Sequence, residues 1–199
     1  NLFPHHENEI AQAEGATGKP FVTYWMHCAH LRVNGEKMSK SLGNFFTLRD
    51  LVEKGWSGRE IRTVLINGHY RQALNFTFDA LDAARAALAR VDECVDALGE
   101  RAAGAAPAEG APGWAAEAHD AFKAAVNDDL NMPEAFAALF ALVRGSNSAL
   151  REGALNASEA AALLALFDRM DSVLGVIRFG RAARAEAVPA EITALAEAR

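Results

Sequence analysis

Asn34-Gly-Glu-Lys-Met-Ser-Lys-Ser-Leu-Gly-Asn44 is the stretch on which the reading of this chain turns. Asn-Gly is the dipeptide that accepts positive φ at both central positions of a tight turn. With His30-Leu-Arg-Val33 before it and Glu36-Lys37-Met38 after it, it predicts a hairpin, and the lysine-rich run leaves the end of that hairpin. Lys37 and Lys40 lie three residues apart, with Ser39 and Ser41 beside them. An ammonium is a mobile point charge with three donors and suits phosphate, and the hydroxyls add neutral hydrogen bonds. Gly35 and Gly43 let such a loop swing. A lysine loop closing on a polyphosphate would stabilise charge that develops only in the transition state. The bland alternative is a solvated charged turn, which composition by itself favours because short motifs recur by chance.

Working outward, the N-terminal side is mixed in character. Pro4 to Ala16 suits a helix closed by Gly15 and Gly18. Phe21 to Val33 is rich in aromatic and β-branched residues and reads as strand. On the other side, Thr47 to Lys54 and Arg59 to Ile66 read as short helices, with Thr47 as the cap of the first. Beyond Asn75 strand signals vanish and alanine rises. Leu81, Ala84, Leu88, Val91, Val95 and Leu98 form one helical stripe. Gly99 to Gly113 reads as a linker. Three further helices are expected: Trp114 to Asn127; one opened by Pro133, with Phe136, Leu139, Phe140 and Val143; and one capped by Ser158 and ended by Gly175. The last of these presents Leu163, Leu166, Phe167, Met170, Val173 and Leu174. Together they predict an antiparallel helical bundle. Pro189 to Arg199 starts a fifth helix.

With 199 residues, 51% of them hydrophobic, the chain can bury one sizeable core or two small ones. A net charge of -6 argues against indiscriminate nucleic-acid binding but permits a local basic patch. No apolar run approaches the roughly 20 residues of a membrane span. Cys28 and Cys94 lie far apart and form no CxxC pair, so free thiols in a reducing compartment are expected. His5 and Glu9 are four residues apart, on one face of the expected helix. An imidazole and a carboxylate so placed can hold zinc, or can simply pair with each other at the surface.

Lys37-Met38-Ser39-Lys40-Ser41 matches, letter for letter, the KMSKS signature of the class I aminoacyl-tRNA synthetases. Four stretches resemble the cysteinyl-tRNA synthetases of that class: Phe3-Pro-His-His-Glu-Asn-Glu9-Ile-Ala-Gln12, Tyr24-Trp-Met-His27, the run Gly35 to Thr47, and His69-Tyr-Arg71. Asp128-Asp-Leu-Asn-Met-Pro-Glu-Ala135 resembles the helical domain of that family, with Met132 where threonine is common. The resemblance covers essentially the whole chain and is most specific before residue 80. It implies an α/β fold followed by an all-α part. Residues 1–46 would be the C-terminal part of a Rossmann-type nucleotide-binding domain, and residues 47–78 a stem-contact fold. Residues 79–180 would be a DALR-like tRNA-binding bundle, and residues 181–199 a linker with the start of a C-terminal region.

The resemblance also implies an activity. Cysteine and ATP would give cysteinyl-adenylate and pyrophosphate, and the cysteinyl group would then pass to tRNA(Cys), in a monomeric cytoplasmic enzyme. Lys40 would contact ATP with Lys37 assisting, and His5 and Glu9 would be two ligands of one zinc ion. In the family two cysteines from earlier in the sequence complete that site, and the zinc takes the substrate thiolate, which rejects serine. Cys28 and Cys94 do not match those positions; the first reads as a strand thiol and the second as a packed one. His6 and Glu7 are candidates for supporting groups behind the ligands, and Trp25 reads as packing. The family's HIGH-type histidine motif and its small anticodon-contacting domain have no counterpart here. An internal portion of a longer enzyme, inactive by itself, is therefore expected. Two rival readings are the cysteine ligase of mycothiol biosynthesis and a non-catalytic tRNA-binding fragment.

Overall fold

The computed structural model describes residues 2–39 and 41–177. Lys40 and the expected fifth helix from Pro189 lie outside the described residues. A short helical turn, Leu2–His6, is broken by extended Phe3 and runs into α1, Glu7–Thr17. Gly18 ends α1 with φ 66°, its N–H donating to the Glu14 carbonyl. The expected helix is thus present, shifted by a few residues.

The hairpin forms as its turn dipeptide requires. β1, Arg32–Val33, pairs antiparallel with β2, Glu36–Lys37, across Asn34 (φ 51°) and Gly35 (φ 81°). The Gly35 N–H also donates to Asn75 Oδ1 at 2.7 Å. On its other edge β1 pairs parallel with β3, Asn75–Phe76, giving a three-stranded sheet of order β2-β1-β3.

The strand expected over Phe21 to Val33 shrinks to Arg32–Val33. Aromatic and β-branched content favours strand only where a ladder partner lies alongside. Here backbone pairing across to the 70–76 segment begins at Ala29, whose N–H donates to the Tyr70 carbonyl at 2.7 Å. Before it, Phe21, Tyr24, Trp25 and Met26 are exposed. Cys28 is consequently an exposed thiol outside any strand.

α2, Leu48–Glu53, and α3, Gly58–Ile66, each begin in a reciprocal capping box, Thr47 with Asp50 and Ser57 with Glu60. Leu51, Ile61 and Val64 pack with Val33, Phe76, Leu81 and Ala84 into a small core. α4, Phe78–Ala102, contributes Leu81 and Ala84 to that core; from Leu88 onward its stripe enters a second, larger one. α4 runs three residues past Gly99, because Ala102 still finds a buried place, so the linker is shorter than expected.

α5 (Gly113–Asn127), α6 (Met132–Arg151) and α7 (Ala157–Leu174) complete the bundle, with α5 packed on α6 and α4 on α7. The cap of α7 is Asn156, not Ser158. Its Oδ1 accepts the Glu159 N–H at 2.9 Å while Glu159 Oε2 accepts the Asn156 N–H at 2.9 Å. Val173, expected on the buried stripe, is exposed, and Leu174 beside it is fully buried.

α3 is clamped onto the bundle by arginine. Arg59 makes a bidentate pair with Asp92 of α4 at 2.6 and 2.7 Å and also donates to the Val176 carbonyl. Arg62 donates to the Leu174 carbonyl at 2.6 Å. From α4, Arg85 donates to Glu60 at 2.6 Å and lies 4.2 Å over the Trp56 ring.

Candidate functional site

Lys37, the last residue of β2, carries the chain out of the hairpin into the lysine loop. Met38 turns inward against the small core, over an apolar cavity of about 230 Å³ lined in part by Val33, Phe46, Leu51 and Phe76. Ser39 and Ser41 lie side by side, Oγ to Oγ 2.6 Å. Asn44 closes the loop: its Oδ1 accepts the Ser39 N–H at 2.7 Å and its Nδ2 donates to the Lys37 carbonyl at 3.2 Å. One amide side chain thus ties both ends of the segment, while Gly43, at φ 65°, makes the return turn. Asn44 is a functional residue that the motif by itself does not single out. The signal was available, because asparagine beside glycine is a residue type that hydrogen-bonds nearby backbone. Of the motif, Lys37, Met38, Ser39 and Ser41 are brought together, and Lys40 lies outside the described residues.

The structure also brings His5 and Glu9 together, Nε2 to Oε1 3.5 Å, with side chains 65% and 40% exposed. Two donors at the zinc–nitrogen and zinc–oxygen distances of a tetrahedral site stand about 3.4 Å apart, so the pair fits two ligand positions. Among the described residues no group of three or more His, Cys, Asp or Glu is placed to hold a metal ion.

His6 is the buried histidine. Its Nδ1–H donates to Glu9 Oε2 at 2.9 Å, and its Nε2 stands 2.8 Å from His27 Nε2. The Trp25 ring covers it, centroid to centroid 4.0 Å. Glu9 is therefore held from behind by His6 while its other oxygen faces His5. The contact of His6 with His27 joins residues 21 apart in sequence and had no local signature. Glu7 is exposed. Cys94 is buried in the bundle, and burial pushes its thiol up to about 11, so it is inert packing.

None of the described helices is long and apolar enough to cross a membrane. Residues 1–86 match the family model described as the tRNA synthetases class I (C) catalytic domain, and residues 121–178 match the DALR domain model. The chain is 46% identical over 206 residues to a cysteine–tRNA ligase of Pseudomonas syringae pv. tomato, covering 99% of this chain and 41% of that protein. It is 44% identical over 178 residues to one of Chlamydia pneumoniae, covering 89% of this chain and 38% of the relative. With one of Chlamydia abortus it is 41% identical over 200 residues, covering 100% of this chain and 41% of the relative. The chain thus spans about two fifths of the length of the curated relatives it matches. A class I catalytic segment followed by a DALR segment, with this identity across both, places the chain in the cysteinyl-tRNA synthetase family.

Proposed function

We propose that the protein carrying this chain is a cysteine–tRNA ligase. It activates cysteine with ATP to cysteinyl-adenylate, releasing pyrophosphate, and then transfers the cysteinyl group to the 3′ end of tRNA(Cys). The observation that carries this reading is the lysine loop, tied by Asn44 at the end of the Asn34-Gly35 hairpin, in a chain with these relatives. Residues 1–46 act as the C-terminal part of the Rossmann-type nucleotide-binding domain and residues 47–78 as the stem-contact fold. The helices α4 to α7 act as the tRNA-binding bundle. The protein works in the cytoplasm.

Lys40 contacts the triphosphate and Lys37 assists it, so the loop contributes positioning and charge stabilisation with no covalent intermediate. His5 and Glu9 hold zinc as two of its ligands, and His6 orients the Glu9 carboxylate toward that role. When bound, zinc supplies a soft Lewis acid that prefers the thiolate of cysteine to the hydroxyl of serine.

The test is Lys40→Ala in the complete protein. Removal of one charge-assisted contact made mainly in the transition state should slow adenylate formation about a hundredfold, on the order of 3 kcal/mol, and leave cysteine affinity unchanged. Lys37→Ala should slow it less. Single-turnover adenylate formation, with cysteine binding measured separately, decides. An unchanged activation rate with weakened tRNA binding would make the loop a tRNA-docking element instead.

A further inference from the structure

Two distant segments meet at one carboxylate. Asp129 lies in the turn between α5 and α6 and receives the Tyr70 hydroxyl at 2.5 Å on Oδ1. Arg71 donates to Oδ2 at 2.6 Å and to Oδ1 at 3.1 Å. His69 Nε2 stands 3.9 Å from Oδ2, and the His69 and Tyr70 rings stack at 5.2 Å. Arg71 and Tyr70 hold the Asp129 carboxyl down to about 2. The backbone there is unusual. Asp129 and Leu130 have φ of 52° and 56°, a left-handed pair that non-glycine residues rarely adopt in succession. Surrounding contacts must impose such a turn; here Leu130 and Asn131 donate back to the Val126 and Ala125 carbonyls of α5.

The segment that Asp129 grips is also the template of the hairpin. From Tyr70 onward it runs beside the strand that leads to the lysine loop. The Tyr70 carbonyl accepts the Ala29 N–H at 2.7 Å, and the Leu74 carbonyl accepts the Arg32 N–H at 2.8 Å. The Phe76 carbonyl accepts the Asn34 N–H at 3.2 Å, and Asn75 Oδ1 holds the Gly35 N–H. A continuous line of hydrogen bonds therefore joins the α5–α6 turn of the bundle to the turn that launches Lys37.

We infer that Asp129 is a positioning residue for the lysine loop. Through Tyr70 and Arg71 it fixes the 69–76 segment, and that segment sets where the hairpin and its loop stand. The Arg71 and Asp129 side chains are 65% and 46% exposed, so their pairing contributes little to global stability. Its consequence is geometric, because a bidentate guanidinium and a phenol on one carboxylate define one orientation. The inference rests on the reading of the loop as the ATP-contacting element.

The test uses the complete protein and two readouts. In Asp129→Ala, amide exchange at Ala29 and Arg32 should quicken about tenfold, with α6 and α7 unchanged. In pyrophosphate exchange, kcat should fall about tenfold with the KM for cysteine unchanged. Asp129→Glu, which keeps the charge, should recover part of both effects. Unchanged exchange at Ala29 and Arg32, a loss of protection spread evenly over the bundle, or an unaltered kcat in an active protein would each overturn the inference. If the unmodified protein shows no cysteine-dependent pyrophosphate exchange, the ligase reading falls, and the amide measurement alone decides the link from Asp129 to the hairpin.

Discussion

Gly145 has no side chain because Trp114 occupies the space that one would need. A Cβ there would stand 2.5 Å from Cε3 and Cζ3 of the indole, which packs from α5 against the bundle core. Alanine in a helix interior ordinarily gains about 1 kcal/mol over glycine. Here the overlap outweighs that gain, because a packed indole is rigid and must be displaced as a body. Gly145→Ala should therefore destabilise the bundle by about 1–3 kcal/mol, read as a lower urea midpoint at unchanged slope. A variant as stable as the parent would show that the ring can shift freely. Neither the contact nor its sign was visible in the sequence.

Among the elements, those governed by local chemistry were legible and those governed by distant partners were not. The Asn34-Gly35 turn, the Thr47 cap and the stripe from Leu81 to Leu98 depend on neighbours within a few residues, and all stand as read. The strand expected from Phe21 depended on a pairing partner, and its composition could not report that none runs beside residues 21–28 among the described residues. The candidate site divides in the same way. The i,i+4 spacing of His5 and Glu9 announced their contact, whereas His6 with His27, and Asp129 with Arg71, required the chain to fold back on itself. The start of α7 is an intermediate case. Asn156 and Ser158 are both good caps by type, and the difference is that Glu159 stands three residues after Asn156, completing a capping box. Asn156→Ala should lower stability by about 1 kcal/mol, and Ser158→Ala, inside the first turn, by a few tenths at most. Equal losses in chemical denaturation would return the cap to Ser158.

At the scale of the molecule, two of the carboxylates that tie the regions together are held below their ordinary range. Glu60, whose side chain is 11% exposed, is lowered from 4.5 chiefly by its hydrogen bond from Arg85 and carries most of the effect, while Asp129, lowered from 3.8 by those from Arg71 and Tyr70, is 46% exposed and adds little. A carboxyl depressed in the folded state contributes its stability above the unfolded value and loses it as pH falls through the folded value. Urea midpoints should therefore be nearly level from neutral pH down to about 4.5 and decline below it, with a shallower decline in Glu60→Gln. A midpoint that rises on acidification would contradict these pairings.

The end of α7 carries a different consequence. Asp171 accepts the Val176 and Ile177 amides at 2.7 Å on a buried oxygen, and the Leu174 and Val176 carbonyls are taken by Arg62 and Arg59 of α3. Gly175, at φ 62°, leaves room for this clasp, since a Cβ there would meet Arg62 Nε at 3.2 Å. Helices separated by about a hundred residues of chain thus share one seam. Anyone trimming this protein to isolate its helical half must keep both lips of that seam. A cut ahead of Ile177, or a design starting at α4, would leave guanidinium groups without their acceptors or carbonyls without their donors, and the halves should melt as one unit.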